Sequence, residues 1–299
     1  MVEIMKIVVL GTTAALPTKN SPTTSFALKY GGVYMFDACE GVQQQMMKFG
    51  VSPSKVQVVF LSHLHADHFL GLLGFVQSQN LMARREQLLI VGPKGTKDFF
   101  EAIFSNKQLS AQFPIKYKEA TRETKVFEND LFAVTAFPVK HAGAALGYAV
   151  ECHSYRRYQE DKARAAGIRG ILFTILAEKK EVVVDGKKVK YDDVTYLQEG
   201  KKFVYSGDTM PCPSVVQHAQ GADLLIHEST FGEDQKDIAA EKRHSTAGQA
   251  AHQAKKAKAK KLLLIHISNR YEDRKVLLEE AAKVFPETLL AAEGLEIEV

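Results

Sequence analysis

Cysteine and long apolar runs are scarce in this chain, and their scarcity excludes two classes of protein. The three cysteines, Cys39, Cys152 and Cys212, are an odd number with no paired spacing, so we expect a reducing compartment and no disulfide framework. No stretch approaches the roughly 20 apolar residues of a membrane span, and the apolar run at the start is too short for a signal peptide. The sequence therefore predicts a cytoplasmic protein that does not associate with membranes.

Charge has little bias toward either sign. The formal net charge is +4 at pH 7, which is compatible with a polyanionic substrate but does not identify one. Hydrophobic residues make up 45% of the 299 positions, as in an ordinary globular protein with a substantial core. This length accommodates either two domains or one large domain with an insertion.

Short strand-like runs alternate with helical patterns along most of the chain. The strand-like runs are residues 7–10, 25–28, 33–36, 56–61, 88–91, 132–137, 203–206, 224–226 and 262–267. The helical patterns are residues 40–49, 68–79, 96–104, 245–258 and 274–285. Strands and helices interleaved in this way predict an α/β fold in which helices cover the sheets.

One segment, residues 153–200, is polar and rich in lysine and arginine, unlike its surroundings. It contains one helical pattern at residues 158–166 and a hairpin-like Asp185-Gly186 turn between β-prone runs. We therefore predict a single domain over residues 1–299, in which residues 153–200 form an inserted arm. A charge run of this kind is usually a solvated face, and the alternative is an arm that grips nucleic acid.

The most informative stretch joins a strand-like run to a helix and is dense in metal-ligand side chains. Its sequence is His63-Leu64-His65-Ala66-Asp67-His68. In an extended chain alternate residues share a face, so His63 and His65 can serve one ion. Asp67 stands where a helix cap belongs, with His68 at the start of the helix, so these two can serve a second ion. Imidazole and carboxylate without thiolate suit zinc, and manganese or iron less well.

Two metal ions need more ligands than this motif supplies, and three further candidates stand at the ends of strand-like runs. They are His141, Asp208 and His266. Each alone can be structural, because a histidine at a strand end is commonly just hydrogen-bonded, but the motif requires partners from elsewhere. The Asp208 carboxylate suits a bridge between two cations, since each of its oxygens can bind one ion.

Glu228 and His244 are candidates for acid–base chemistry. Glu228 follows the strand-like run 224–226, and His244 precedes Ser245, where we predict a helix cap. A carboxylate beside a histidine fixes the imidazole tautomer and raises its basicity, which suits it to protonate a leaving oxygen. The alternative is that His244 only belongs to the capping arrangement.

With these positions the chain resembles the metallo-β-lactamase superfamily, and within it the ribonuclease Z family of tRNA 3′-end endonucleases. The first motif identifies only the superfamily. The resemblance to ribonuclease Z runs nearly end to end and rests on residues 10–18, Phe36-Asp37, Glu40-Gly41, residues 62–71, residues 92–95, His141, residues 206–209, His227-Glu228, residues 244–246, residues 266–268 and the inserted arm.

The resemblance implies an αβ/βα sandwich, in which two mixed sheets are flanked by helices and the metals lie at one edge. It assigns His63, His65 and His141 to one zinc ion, Asp67, His68 and His266 to another, and Asp208 to both. It also assigns proton handling at the leaving group to Glu228 and His244. Members commonly form homodimers in which the arm of one subunit holds tRNA for the active site of the other.

The resulting hypothesis is a zinc-dependent endoribonuclease that removes the 3′ trailer from precursor tRNA. The tRNA would end in a 3′-OH and the trailer would begin with a 5′-phosphate, with Asp67 orienting the nucleophile besides binding metal. Two zinc ions per chain are expected, and manganese or iron can replace them. One alternative is a small-molecule hydrolase on the same scaffold, acting on a phosphodiester, sulfate ester or lactone. Another is a nucleic-acid-binding protein without catalysis.

Overall fold

The computed structural model describes residues 4–299. The strands are β1 (Lys6–Gly11), β2 (Thr13–Ala14), β3 (Ser25–Lys29), β4 (Val33–Phe36), β5 (Val56–Phe60), β6 (Leu88–Pro93), β7 (Ile115–Ala120), β8 (Thr124–Glu128), β9 (Phe132–Pro138), β10 (Leu146–Cys152), β11 (Tyr155–Tyr158), β12 (Glu181–Val184), β13 (Lys187–Lys190), β14 (Thr195–Gln198), β15 (Lys202–Tyr205), β16 (Leu224–Glu228), β17 (Leu262–Ile265), β18 (Ile267–Ser268), β19 (Thr288–Leu290) and β20 (Glu296–Glu298). The helices are α1 (Val42–Lys48), α2 (Ala66–Leu81), α3 (Thr96–Phe104), α4 (Glu160–Ala165), α5 (Leu172–Lys179), α6 (Pro213–His218), α7 (Lys236–Lys242), α8 (Ala247–Ala257) and α9 (Lys275–Ala282). None of the helices among these residues combines the length and apolar composition needed to cross a membrane.

Most strands belong to two mixed sheets, each with seven strands within residues 4–299. The first has the order β20-β1-β3-β4-β5-β6-β7 and is parallel from β4 to β7. The second has the order β19-β17-β16-β15-β10-β9-β8, with β15, β16, β17 and β19 parallel to one another. Parallel strands end at the same edge of a sheet, so the loops that follow β15, β16 and β17 lie side by side.

The two sheets pack face to face through a layer of buried aromatic rings. Phe36 of the first sheet stacks between Phe26 and Phe60, with ring centroids 4.8 Å apart in both pairs. Tyr205 of the second sheet meets the edge of Phe26 at 5.1 Å, and Tyr148 meets Phe36 at 6.0 Å. Stacked and edge-to-face pairs of this kind bury large apolar area in a fixed geometry, so they set the spacing of the sheets.

Helices cover the outer face of each sheet with their apolar sides. The side chains that α1, α2 and α3 contribute to the first core include Val42, Met46, Leu72, Phe75 and Phe100. Those that α6, α8 and α9 contribute to the second core include Val215, Ala250, Ala251, Ala254 and Leu277. The alanines of α8 allow a close approach of that helix to its sheet. The order of layers in this part of the chain is helix, sheet, sheet, helix.

The chain divides into two compact units, one of which is Cys152–Lys201. This unit has its own small core of Ala163, Ile168, Leu176, Val189 and Val194. It contains the predicted hairpin between β12 and β13, whose turn residues Asp185 and Gly186 both have positive φ. The prediction of a single helix here was wrong, because α5 is a second one. Its Leu172 and Leu176, one turn apart, pack on the small core.

The sequence prediction also missed several strands of the two sheets, including β7, β8, β19 and β20, and it joined two strands that are separate. The β7 segment alternates exposed and partly buried residues and carries lysines, as expected of a strand at the edge of its sheet. The predicted strand 262–267 is broken at His266, whose φ of 57° lies in the left-handed region. This break separates β17 from β18 and leaves the His266 side chain at the end of a strand.

Helix α2 approaches the loop before α1 so closely that Gly71 has no room for a side chain. A Cβ atom at Gly71 would lie 1.7 Å from the carbonyl oxygen of Cys39, whereas one at Gly74 would meet only the side-chain amide of Gln43, at 3.1 Å. We predict that Gly71→Ala lowers the free energy of unfolding by about 1–3 kcal/mol. Gly74→Ala, the matched control in the same helix, should leave it unchanged or raise it by up to about 1 kcal/mol. Chemical denaturation measures both, and equal effects would contradict the close approach.

Candidate functional site

The residues predicted from the sequence converge at one edge of the two sheets. The turn between β5 and α2 carries His63 and His65, and the first turn of α2 carries Asp67 and His68. The strands of the second sheet, or the loops directly after them, supply His141, Asp208, Glu228 and His266, and the connection between α7 and α8 supplies His244. These side chains form overlapping groups of three, and the possible ligand atoms within each group lie within 4.8 Å of one another.

The first group consists of three imidazoles. The Nδ1 atom of His65 lies 2.9 Å from Nε2 of His63 and 3.3 Å from Nε2 of His141. A ring nitrogen carries one proton or one lone pair, so His65 Nδ1 cannot make two good hydrogen bonds at once. Three lone pairs directed at one cation satisfy all three rings, which is how this arrangement fits a metal ion.

The second group combines two imidazoles with a carboxylate. Nε2 of His68 and Nε2 of His266 are 3.3 Å apart. The Asp67 Oδ2 atom lies 3.4 Å from the first of these nitrogens and 3.6 Å from the second. This group fits a second cation beside the first.

Asp208 lies between the two groups. Its Oδ2 atom is 3.7 Å from His63 Nε2, 3.3 Å from His68 Nε2 and 3.2 Å from His266 Nε2. Its Oδ1 atom is buried and has no hydrogen-bond partner. A buried carboxylate oxygen without a partner is costly unless a cation binds it, so Asp208 has the position and the free oxygen of a bridging ligand.

A further set of contacts orients the rings from behind. The Asp37 carboxylate lies 2.9 Å from His68 Nδ1 and accepts hydrogen bonds from the backbone NH and hydroxyl of Ser62. His141 Nδ1 donates to the carbonyl oxygen of Arg243 at 3.0 Å. Such partners hold the ring proton on Nδ1 and direct the Nε2 lone pair of each ring at the site.

Glu228 and His244 form a hydrogen-bonded pair beside these groups. Glu228 is fully buried, and its Oε1 atom lies 2.8 Å from His244 Nδ1. Burial lowers the pKa of His244, but the charge of Glu228 and the hydrogen bond outweigh it and raise the pKa to about 9. His244 is therefore an imidazolium near neutral pH, which suits it to donate a proton.

In the absence of metal the pKa values of His63, His68 and Asp208 are shifted in different directions. Burial lowers the pKa of His63 well below its usual value. Burial would do the same to His68, but the charges of Asp208 and Asp37 raise its pKa well above the usual value. The pKa of Asp208 is held well below normal, because the charges of His266 and His68 outweigh the effect of burial. A cation that binds here must displace the proton of His68, so its affinity should increase with pH.

The site opens into a cleft of about 450 Å³. Its walls include Asp67 and His244, and its other lining residues include Leu16, Lys242 and Arg270. Lys242 and Arg270 give the cleft positively charged side chains, which suit a phosphate-containing substrate. A larger cleft of about 720 Å³, between α6 and α8, contains none of the predicted site residues.

Comparisons with known proteins agree with this geometry. The model of the β-lactamase superfamily domain matches residues 33–169 and 170–267. Ribonuclease Z of Ignicoccus hospitalis is 42% identical over 291 residues, covering 97% of this chain and 96% of that protein. Ribonuclease Z of Methanothermobacter thermautotrophicus is 40% identical over 299 residues, covering 99% and 97%. The chain belongs to the ribonuclease Z family.

Solved structures place the ribonuclease Z chain in the same fold. The crystal structure of the short form of human tRNase Z has a TM-score of 0.72 and 25% identity, and covers 98% of this chain and 99% of that one. A metallo-β-lactamase fold protein of Bacillus subtilis also has a TM-score of 0.72, at 22% identity, and covers 99% of both chains. The predicted α/β metallo-β-lactamase sandwich is therefore confirmed. The fold and the histidine–aspartate groups support binding of divalent metal at this edge.

Two local predictions were wrong, and both concern helix caps. Helix α2 begins at Ala66 with His65 in the cap position, so Asp67 is not the cap. Asp67 lies in the first turn, where its Oδ2 atom accepts a hydrogen bond from the backbone NH of Ala15 at 2.9 Å. Helix α8 is capped by Thr246 rather than Ser245. The Ser245 hydroxyl instead donates to the carbonyl oxygen of Thr209 at 2.7 Å.

Asp37 is a residue of the ribonuclease Z site to which the sequence analysis gave no role. Asp37 follows β4, and the histidine motif follows β5, which pairs with β4 in parallel. Asp37 therefore lies at the same edge of the sheet as the histidine motif. Its φ of 53° is left-handed, which is unusual for a non-glycine residue and points to a constrained position. The aspartate directly after a buried strand was the available signal.

The charge of Glu228 is what keeps His244 protonated, so Glu228→Gln should lower the pKa of His244. We expect a fall of about 1–3 from the present value of about 9. Proton NMR titration of the metal-free protein measures it directly. Glu241→Gln, which removes an exposed carboxylate on α7, is the matched control and should leave the titration unchanged. An unchanged pKa of His244 in the Glu228→Gln variant would show that a group other than Glu228 keeps His244 protonated.

Proposed function

We propose that this ribonuclease Z chain is a zinc-dependent endoribonuclease that removes the 3′ trailer from precursor tRNA. The products are a tRNA with a 3′-OH and a trailer with a 5′-phosphate. The observation that carries the proposal is the convergence of seven ligand-type side chains, including the buried Asp208, beside the hydrogen-bonded pair of Glu228 and His244. We infer that precursor tRNA is the substrate of this site because the chain belongs to the ribonuclease Z family.

The proposed ligands form two sets that share Asp208. One set is His63, His65 and His141, and the other is Asp67, His68 and His266. Zinc held by these residues would lower the pKa of bound water to about 7 and would stabilise the negative charge of a reacting phosphate. Nitrogen and oxygen ligands without thiolate favour zinc, and they also accept manganese or iron. Metal analysis of the purified protein distinguishes these ions.

The residues of the chain itself would orient the reactants and move the proton. Asp67 lies at the wall of the cleft and can accept a hydrogen bond from the attacking water. His244 Nδ1 is bound to Glu228, which leaves Nε2–H to protonate the departing 3′ oxygen of the tRNA. Lys242 and Arg270 line the cleft and can bind the phosphates on either side of the scissile bond, which would make cleavage sensitive to salt.

The proposed reaction is tested by cleavage of a 3′-extended tRNA with and without chelator, followed by mapping of the new ends. Asp208→Ala should reduce kcat by more than the roughly 10²–10³-fold that loss of one stabilising donor costs, and should reduce bound zinc, while tRNA binding persists. Asp98→Ala, which removes an exposed carboxylate on α3, is the control. Full activity of the Asp208 variant would refute the site. Faster turnover of small phosphodiesters, sulfate esters or lactones than of precursor tRNA would refute the substrate.

The arm of residues 153–200 is proposed to bind tRNA for the active site of a partner subunit in a homodimer. Two features support a role in binding. The arm has its own folded core, and its β11 and β14 pair Arg156 and Arg157 with the partly exposed Leu197 and Tyr196. Basic and aromatic side chains together suit a nucleic-acid surface. The homodimer and the cytoplasmic location stay predictions from the sequence.

Mixing two inactive variants tests the arm and the dimer together. Cys152 NH donates to the carbonyl oxygen of Lys201 at 2.8 Å, so residues 154–199 can be replaced by a short turn. That variant should hydrolyse a small phosphodiester normally but cleave precursor tRNA poorly. Mixed with Asp208→Ala at equal concentration and allowed to exchange, it should recover about a quarter of wild-type activity, since half the dimers then hold one productive site. No recovery would contradict an arm that acts across a dimer.

A further inference from the structure

A single hydroxyl group joins the acid–base pair to the proposed metal ligands. Thr230 lies two residues beyond the end of β16 and is buried. Its Oγ1 atom is 2.7 Å from Glu228 Oε2 and 2.8 Å from His266 Nδ1. It is also 3.3 Å from His244 Nδ1, which has a shorter contact of 2.8 Å with the other oxygen of Glu228.

The direction of each hydrogen bond follows from what the partners can do. An ionised carboxylate only accepts, so the Thr230 hydroxyl donates its one proton to Glu228. Its oxygen then accepts from His266, which places the proton of that ring on Nδ1 and the lone pair on Nε2. Nε2 is the atom that lies 3.2 Å from Asp208 and 3.6 Å from Asp67. The hydroxyl therefore sets the tautomer that a metal ligand requires.

His266 depends on this contact more than an ordinary strand residue would. Its left-handed φ of 57° lies at the break between β17 and β18, where the regular ladder ends. Glu228 depends on the hydroxyl less, because its Oε2 atom also accepts from the backbone NH of Thr230 at 3.1 Å. Loss of the hydroxyl should therefore disturb metal binding more than the pairing of Glu228 with His244.

We propose that Thr230 is a positioning residue, whose hydroxyl presents His266 Nε2 to the metal centre and at the same time orients Glu228 toward His244. The part that concerns turnover rests on the proposed function, whereas the part that concerns metal affinity does not. The neighbouring Ser229 has a hydroxyl with a purely structural role, and it serves as the comparison for Thr230. Ser229 is also buried, but its Oγ atom donates to the backbone carbonyl oxygen of Ile265 at 3.1 Å rather than to a side chain of the site.

The experiment measures zinc affinity by competition with a chromogenic chelator, together with kcat and KM on precursor tRNA. Thr230→Val keeps the shape but removes the hydroxyl, so it should weaken zinc binding by about 10–100-fold and lower kcat with little change in KM. Thr230→Ser keeps the hydroxyl and should remain close to the wild type in all three quantities. Ser229→Ala, the matched control, should also remain close to the wild type.

Two results would overturn the proposal. One is a Thr230→Val variant that binds zinc as tightly as Ser229→Ala, and the other is a Thr230→Ser variant that loses as much affinity as Thr230→Val. Should Thr230→Val fail to fold by circular dichroism, Thr230→Ala against Thr230→Ser isolates the same hydroxyl, and equal zinc affinities would reject the role. If the wild type does not cleave precursor tRNA, the proposed function is wrong. The zinc affinities of the variants still decide whether the Thr230 hydroxyl positions His266.

Discussion

The active edge of this protein depends on keeping the Asp208 carboxylate ionised although it is buried. An unpaired charge in a protein interior costs several kcal/mol, so compensating positive charge must lie within contact distance. Without metal that charge comes from imidazole, since Asp208 and Asp37 raise the pKa of His68, while burial lowers the pKa of His63. Protonated rings in contact repel one another, so the neighbouring imidazoles cannot all be charged. A divalent cation would supply the charge without this conflict and would leave the rings of the proposed ligands in their neutral, lone-pair form.

The fold supports this cluster by joining the two sheets beneath it. Asp37 ends a strand of the first sheet, and its carboxylate accepts a hydrogen bond from the hydroxyl of Tyr205 in the second sheet at 2.7 Å. The same carboxylate holds Ser62 and His68, so one buried group ties both sheets to the ligand motif. The aromatic layer around Phe36 makes the spacing of the sheets rigid. Ligands from both sheets can therefore meet at fixed distances, as a preorganised metal site needs.

The sequence was informative wherever local chemistry decides the structure. Four ligand-type residues within six positions predict a metal site on their own, and the strand ends at His141, Asp208 and His266 predict the rest of the proposed ligand set. It was not informative where backbone conformation or a distant contact decides. The cap position of α2 is decided by backbone conformation, since His65 is extended there, with φ of −76° and ψ of 144°, and its side chain makes no capping hydrogen bond. The bond between Asp37 and Tyr205 joins residues 168 positions apart, and no local pattern records it.

Hydrogen bonds distinguish the two buried carboxylates of the site. An ionised carboxylate offers about four lone-pair positions. Glu228 uses them on the backbone NH groups of Thr209 and Thr230, on the Thr230 hydroxyl and on His244. Asp208 keeps one oxygen with no partner at all. Although Glu228, His244 and His266 are close enough to hold a metal ion, Glu228 has no lone pair left for one. Saturation of Glu228 thus reserves it for holding the proton of His244, while the open oxygen of Asp208 directs cations to the histidine groups.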